Sequence, residues 1–253
     1  MPELALPPTV TRALRLSLRN IDGLTTALLL PVMMMLMFVY LFGGAITGAL
    51  AHGTTYVDYV LPGVLLVCVG FGAGTTAVTV AHDLAGGIID RFRSMDVRGE
   101  ALVGGHVLAS VLRNLISAGI VVGVGVAIGF RSPTGPGRWL AALGILALFV
   151  LALSWLAAAI GIVTRSPEAA QGITFLISFL PYPSSAFVPI HTMPSWLQGA
   201  ARAQPVTAVT DAIRALLDGG PVGASGWHAV AWSLGIIAGS VALAGVLYRR
   251  RAR

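Results

Sequence analysis

Asp83-Leu84-Ala85-Gly86-Gly87-Ile88-Ile89-Asp90-Arg91-Phe92-Arg93-Ser94-Met95 separates two long apolar runs, roughly 59–80 and 108–130. Asp96 and Arg98 follow directly. A charge at the centre of a bilayer costs roughly 2.5–3.5 kcal/mol even on mild scales, so water surrounds this stretch. Ile88, Phe92 and Met95 nevertheless recur at i, i+4 and i+7, with Ile89 beside them, which makes one helical face apolar. The pattern predicts a helix at the membrane surface whose apolar face docks on a partner. Burying those four side chains contributes at most about 1.5–3 kcal/mol each. The plainer alternative is a charged loop that only fixes topology.

Composition points the same way. Of 253 residues, 56% are hydrophobic and 10% charged, too few charges for an ordinary soluble domain. All sixteen basic residues are arginine and the net charge is +6. No soluble basic domain accompanies that charge, so nucleic acid is not an expected partner; the lipid bilayer is. One cysteine, Cys68, lies inside an apolar run, which leaves no disulfide framework and no metal cluster.

Six runs approach the roughly 20 helical residues that a bilayer core requires: 23–46, 59–80, 108–130, 139–163, 169–186 and 228–248. Pro181 and Pro183 should break or kink the far end of the fifth. The expected fold is therefore all-α: a single polytopic domain, 1–253, with six transmembrane helices. Arginines orient it. Eleven lie at Arg12, Arg15, Arg19, Arg91, Arg93, Arg98, Arg165, Arg249, Arg250, Arg251 and Arg253; four, Arg131, Arg138, Arg202 and Arg214, lie on the other side. The positive-inside rule then puts both termini in the cytoplasm. A cleaved signal peptide is not expected, because the first apolar run starts late and is long.

Chemistry that is missing narrows the function. A phosphate-cradling P-loop requires a lysine, and the chain has none. All ten acidic residues lie outside the runs or at their edges, so no proton or sodium site is expected at membrane depth. Arg113 is the one clear charge within a run, two turns in, where it can snorkel to the surface. The five histidines are scattered without catalytic spacing. Neither a catalytic residue, a metal nor a cofactor is expected in this chain, and it should not be an enzyme by itself.

Other segments offer surfaces. Across 8–21, Arg12, Arg15 and Arg19 share one side of an amphipathic helix, opposite Val10, Leu14, Leu18 and Ile21. Met33 and Met37 belong to a methionine-rich stretch of the first run; flexible, polarizable side chains suit varied apolar ligands. With Tyr40, Phe175, Phe179 and Phe187 they form the candidate substrate path. Gly119/Gly123 and Gly125/Gly129 read as close helix packing. Val209, Ile213 and Leu216 share a face opposite Asp211, Arg214 and Asp218, whose spacing permits ion pairing.

Several blocks in order resemble one family. They are Tyr59-Val60-Leu61-Pro62-Gly63, Gly87 to Ser94, Gly129-Phe130-Arg131, Arg165-Ser166-Pro167-Glu168, Ser184-Ser185-Ala186-Phe187-Val188-Pro189, Gln204-Pro205-Val206-Thr207 and Asp211 to Gly220. Over almost its whole length the chain resembles ABC-2 type exporter permeases (type V-like), especially the daunorubicin-resistance type of drug-efflux membrane subunits. That family commonly has a proline at the position of Asp96 and an arginine at that of His106. The resemblance implies a half-transporter in the bacterial plasma membrane. It pairs with a second permease, identical or homologous, above two copies of an ATP-binding subunit that carry the ATP and Mg. It also implies that Gly87, Ile88, Ile89, Asp90, Arg91, Phe92, Arg93 and Met95, within 83–96, form the coupling helix. Residues 8–21 become the connecting helix, and 189–220 a pair of extracytoplasmic re-entrant or surface helices. The expected function is export of a hydrophobic or amphipathic compound (drug, antibiotic or lipid-like). The alternatives are a permease for lipid-linked glycan or lipid export and a structural membrane subunit that translocates nothing.

Overall fold

A computed structural model describes residues 21–48, 50, 54–86, 99–164 and 166–251. The 83–96 segment beyond Gly86, with the residues Gly87 to Met95 expected to dock, lies outside the described residues, as do Arg12, Arg15 and Arg19. Among the described residues the chain is all-helical. Its α-helices are α1 (Ile21–Met37), α2 (Gly43–Thr47), α3 (Tyr56–Ala85), α4 (Gly99–Ala127), α5 (Pro136–Val163), α6 (Pro167–Ser178), α7 (Ser195–Ala203), α8 (Pro205–Asp218) and α9 (Gly223–Arg251). A π-helical turn, Phe38–Phe42, joins α1 to α2.

Five helical stretches are long and apolar enough to cross a bilayer: Leu29–Thr47, Tyr56–Ala85, Val103–Ala127, Pro136–Val163 and Gly223–Val246. They match five of the six expected runs. The sixth differs. Where one span over 169–186 was expected, α6 stops after 12 residues, about 18 Å of helix, and turns carry the chain through Phe187. Pro181 and Pro183 account for the stop, since each removes an N–H from the ladder and crowds the preceding turn.

Helix α3 is the hub, packing against α1, α4, α5, α6 and α8. In its apolar window 72% of the residues are buried, against 17% for the first span and 22% for the last. The outer helices therefore offer their sides to lipid or to another chain, while α3 is enclosed by its own fold. A capping box starts it: Thr55 Oγ1 accepts from the Asp58 N–H and Asp58 Oδ2 accepts from the Thr55 N–H.

Glycines set how closely the neighbours approach. A Cβ at Gly74 would lie 3.4 Å from Thr174 Oγ1, one at Gly70 3.3 Å from Ser178 Cα, and one at Gly63 2.6 Å from both Ala186 Cβ and its carbonyl oxygen. As numbers fall along α3 they rise along its partner, so α6 and the turns after it run antiparallel to α3, nearly backbone on backbone. Gly161 of α5 is equally tight, 2.6 Å from the Ala77 carbonyl. The glycines read from sequence as close packing divide, and only Gly125 is tightly packed. Gly119 and Gly123 meet nothing within 4 Å, whereas Gly125 meets Leu61 and Gly129, at φ 117°, ends α4 in left-handed backbone. Spacing finds small residues; it does not say which face a neighbour covers.

Candidate functional site

Two arrangements converge on the turn after α6. The first is polar. Ser184 Oγ donates to the Pro181 carbonyl at 2.5 Å and accepts from the Ala186 N–H, holding the turn in shape. Gln204 Nε2 donates to the Pro183 carbonyl. From α3, the Tyr59 hydroxyl donates to the Ser185 carbonyl at 2.9 Å and the Tyr56 hydroxyl to the Phe187 carbonyl at 3.0 Å.

Arg214 of α8 completes this clamp. Its Nη2 donates to the carbonyls of Ser185 (2.8 Å) and Tyr59 (2.9 Å), its Nε to Tyr59 again (3.2 Å), and its Nη1 to Asp211 Oδ1 (2.9 Å). Ser185 Oγ donates to the same carboxylate oxygen at 2.6 Å. One guanidinium thus ties α3, the turn and α8 together, using the planar donor fork that lysine lacks. Pro62 has no N–H for the Asp58 carbonyl one turn back and so loosens α3 where Arg214 reaches it. Desolvation pushes the Asp218 carboxyl above its ordinary range; Arg214 opposes that rise and Asp58 adds to it.

The second arrangement is aromatic. Phe175 and Phe179 sit 4.8 Å apart edge to face, Phe179 and Tyr182 5.2 Å, Tyr182 and Phe187 5.4 Å, and Phe187 and Phe38 4.7 Å. Phe42 extends the row 5.5 Å beyond Phe38. This ladder bridges α6, the turn and the first span. The Tyr182 hydroxyl donates to Met34 Sδ at 3.1 Å.

Residues 9–217 match the ABC-2 type transporter family. The chain belongs to that family. It is 32% identical over 216 residues to the daunorubicin resistance ABC transporter permease protein DrrB1 of Streptomyces coeruleorubidus, covering 85% of this chain and 74% of that one. It is 23% identical over 227 residues to the probable doxorubicin resistance ABC transporter permease protein DrrC of Mycobacterium tuberculosis (strain H37Rv), covering 88% and 80%. This ABC-2 chain is accordingly the membrane permease of an ATP-binding-cassette transporter.

Within the permease, the residues expected along a substrate path divide. Phe175, Phe179 and Phe187 join the ladder. Met33, Met37 and Tyr40 do not: they lie on the exposed side of the first span, Tyr40 at 70% exposure. The opposite side of that helix, Met34 and Phe38, meets Tyr182 and Phe187. Sequence reading did not single out Tyr182 and Phe38; only the i, i+4 spacing from Met34 to Phe38 could have suggested that these two share the inward face.

Arg113 also departs from expectation. Instead of snorkelling to the surface, its Nη2 donates to Thr76 Oγ1 at 2.9 Å and to the Gly72 carbonyl at 3.3 Å. Thr76 donates to Ser110, Ser154 of α5 also donates to Ser110, and Asn114 lies against Gly72, where a Cβ would overlap its amide. This buried polar knot joins α3, α4 and α5. At the end of α3 nearest the docking segment, His106 Nε2 lies 3.1 Å from Asp83 Oδ2.

Proposed function

We propose that this permease exports a hydrophobic or amphipathic compound across the bacterial plasma membrane, powered by two copies of a separate ATP-binding subunit and paired with a second permease, identical or homologous. The observation that carries this is the aromatic ladder from Phe175 to Phe42. It lies beside the exposed first span, where stacked rings offer an apolar, ligand-tolerant surface. The relatives named for daunorubicin and doxorubicin resistance support a flat, greasy cargo. A scaffold without a path has no use for a ring row that runs from a sparsely buried helix to a turn held by Tyr56, Tyr59 and Arg214.

The chain crosses six times in this reading, the fifth pass being α6 together with the turns to Phe187. Antiparallel glycine contacts with α3 from Gly74 to Gly63 support that pass, and a backbone that is not helical at such depth is tolerated where protein lines it. Both termini are cytoplasmic, and α7 and α8 close the opposite side. The 83–96 segment transmits force from the ATP-binding subunit, with residues 8–21 beside it as the connecting helix; ATP and Mg are bound by that partner.

The test is reconstitution of the permease with its ATP-binding partner in vesicles, using doxorubicin as probe cargo. Phe92→Asp should abolish cargo-stimulated ATP turnover while insertion survives. Unchanged turnover overturns the docking role. Cargo movement without the ATP-binding subunit overturns the whole reading.

A further inference from the structure

A pocket of about 460 Å³ opens between α7, α8 and the first turns of α9, lined by Arg202, Thr207, Asp211, Ser225, His228 and Trp232, with Ile190 as apolar wall. It shares Asp211 with the clamp, none of its lining residues belongs to the aromatic ladder, and the proposed cargo path does not account for it. Asp211 is its distinctive member. Oδ1 is taken by Arg214 and Ser185, whereas among the described residues no hydrogen bond reaches Oδ2, and the side chain is 39% exposed. A carboxylate that lines a cavity, fixed by two donors on one oxygen and with the other unclaimed, is set to accept from a cation.

The other groups have the opposite preference. Arg202 spends a single long bond on Gln198 Oε1, at 3.3 Å, leaving most of a five-donor fork for an anion. Ser225 and the exposed His228 stand on one face of α9 with Trp232. The pocket therefore matches a ligand carrying an ammonium and an anion a few bonds apart.

Its depth selects the ligand further. The apolar window of α9 begins at Gly223, and Trp232, which lines the pocket, is 45% exposed, as a tryptophan at a membrane interface is. Leu243 and Val246, also exposed, then continue the side of α9 that carries His228 and Trp232 into the core.

We propose that this pocket binds the headgroup of a phosphatidylethanolamine-type phospholipid from the leaflet facing away from the arginine-rich termini. The primary ammonium donates to Asp211 Oδ2, and the phosphodiester is held by Arg202 and His228. Acyl chains lie along α9. Phosphatidylcholine has the same charges and no N–H to donate; phosphatidylglycerol has no cation for Asp211.

Native mass spectrometry of the full chain, titrated with dioleoyl phosphatidylethanolamine, phosphatidylcholine and phosphatidylglycerol, tests the assignment. The ethanolamine lipid should be retained at least about tenfold more tightly than either other lipid, about 1.4 kcal/mol. Arg202→Gln and His228→Ala, both on exposed side chains outside the clamp, should each remove that preference while leaving the unfolding temperature unchanged. Equal or tighter retention of phosphatidylglycerol, or a preference indifferent to both substitutions, overturns the assignment. Retention of doxorubicin with no retention of the ethanolamine lipid gives the pocket to cargo and overturns it equally.

Discussion

The Arg214 guanidinium lies 3.8 Å from the centroid of the Tyr59 ring and donates twice to the carbonyl oxygen of that same residue. Ring face and backbone of one α3 residue are thus held by one side chain 155 positions later. Arg214→Ala should cost about 2–4 kcal/mol, since it removes several charge-assisted bonds and leaves the half-buried Asp211 carboxylate without its cation. Arg214→Lys should recover less than half of that, because a point charge cannot serve three acceptors in one plane. Thermal unfolding in detergent checks both.

Gly63 and Gly123 offer a matched pair. Alanine at Gly63 would drive its Cβ into Ala186, backbone oxygen included, whereas alanine at Gly123 meets open space. Gly63→Ala should destabilise by about 1–3 kcal/mol. Gly123→Ala should be neutral or slightly stabilising, by helix propensity alone. The difference in unfolding temperature between the two proteins is the readout.

Phe187 and Phe179 separate stability from cargo handling. Phe187 is 3% exposed and stacks on both Phe38 and Tyr182, so Phe187→Ala should lose about 3–5 kcal/mol of stability. Phe179 is 45% exposed. Phe179→Ala should fold normally and raise the transport KM for an aromatic cargo about two- to tenfold, the worth of one aromatic contact. An unchanged KM would remove Phe179 from the path.

Asp218 predicts a pH dependence. Its folded pKa is raised, with desolvation the first cause. An acid shifted upward favours the fold below its ordinary pKa and opposes it as pH climbs through the raised value. It also stands in the last turn of α8, where the helix dipole disfavours an anion. Asp218→Asn should therefore stabilise the protein at neutral pH by about 0.3–1 kcal/mol. The gain should vanish as pH falls below the ordinary aspartate range, a trend that unfolding curves at several pH values will register.

Much of the membrane architecture is legible from residue chemistry, because apolar length is a local property. The runs around Tyr59, Leu108, Trp139 and His228 each appear as one long helix. The 169–186 run shows the limit. Pro181 and Pro183 announced a break, yet only packing against Gly63, Gly70 and Gly74 decides what shape follows it. At the site, the i, i+3 pairing of Asp211 with Arg214 is readable from spacing and is present at 2.9 Å. The other partners of Arg214, Tyr59 and Ser185, are remote in sequence and carry no signal there, since backbone carbonyls belong to every residue. Phe175, Phe179 and Phe187 were reachable as apolar rings; Tyr182, wedged between two prolines, was not.

Glycine on α3 has a mechanical consequence. With almost no side-chain padding between this helix and the strip of chain from Thr174 to Ala186, the two behave as a laminated strut instead of two sliding rods. Thirty residues long, the strut measures about 45 Å, with Asp83 at one tip and the Arg214 bolt at the other. Any shove delivered at its foot arrives at its head with little slack.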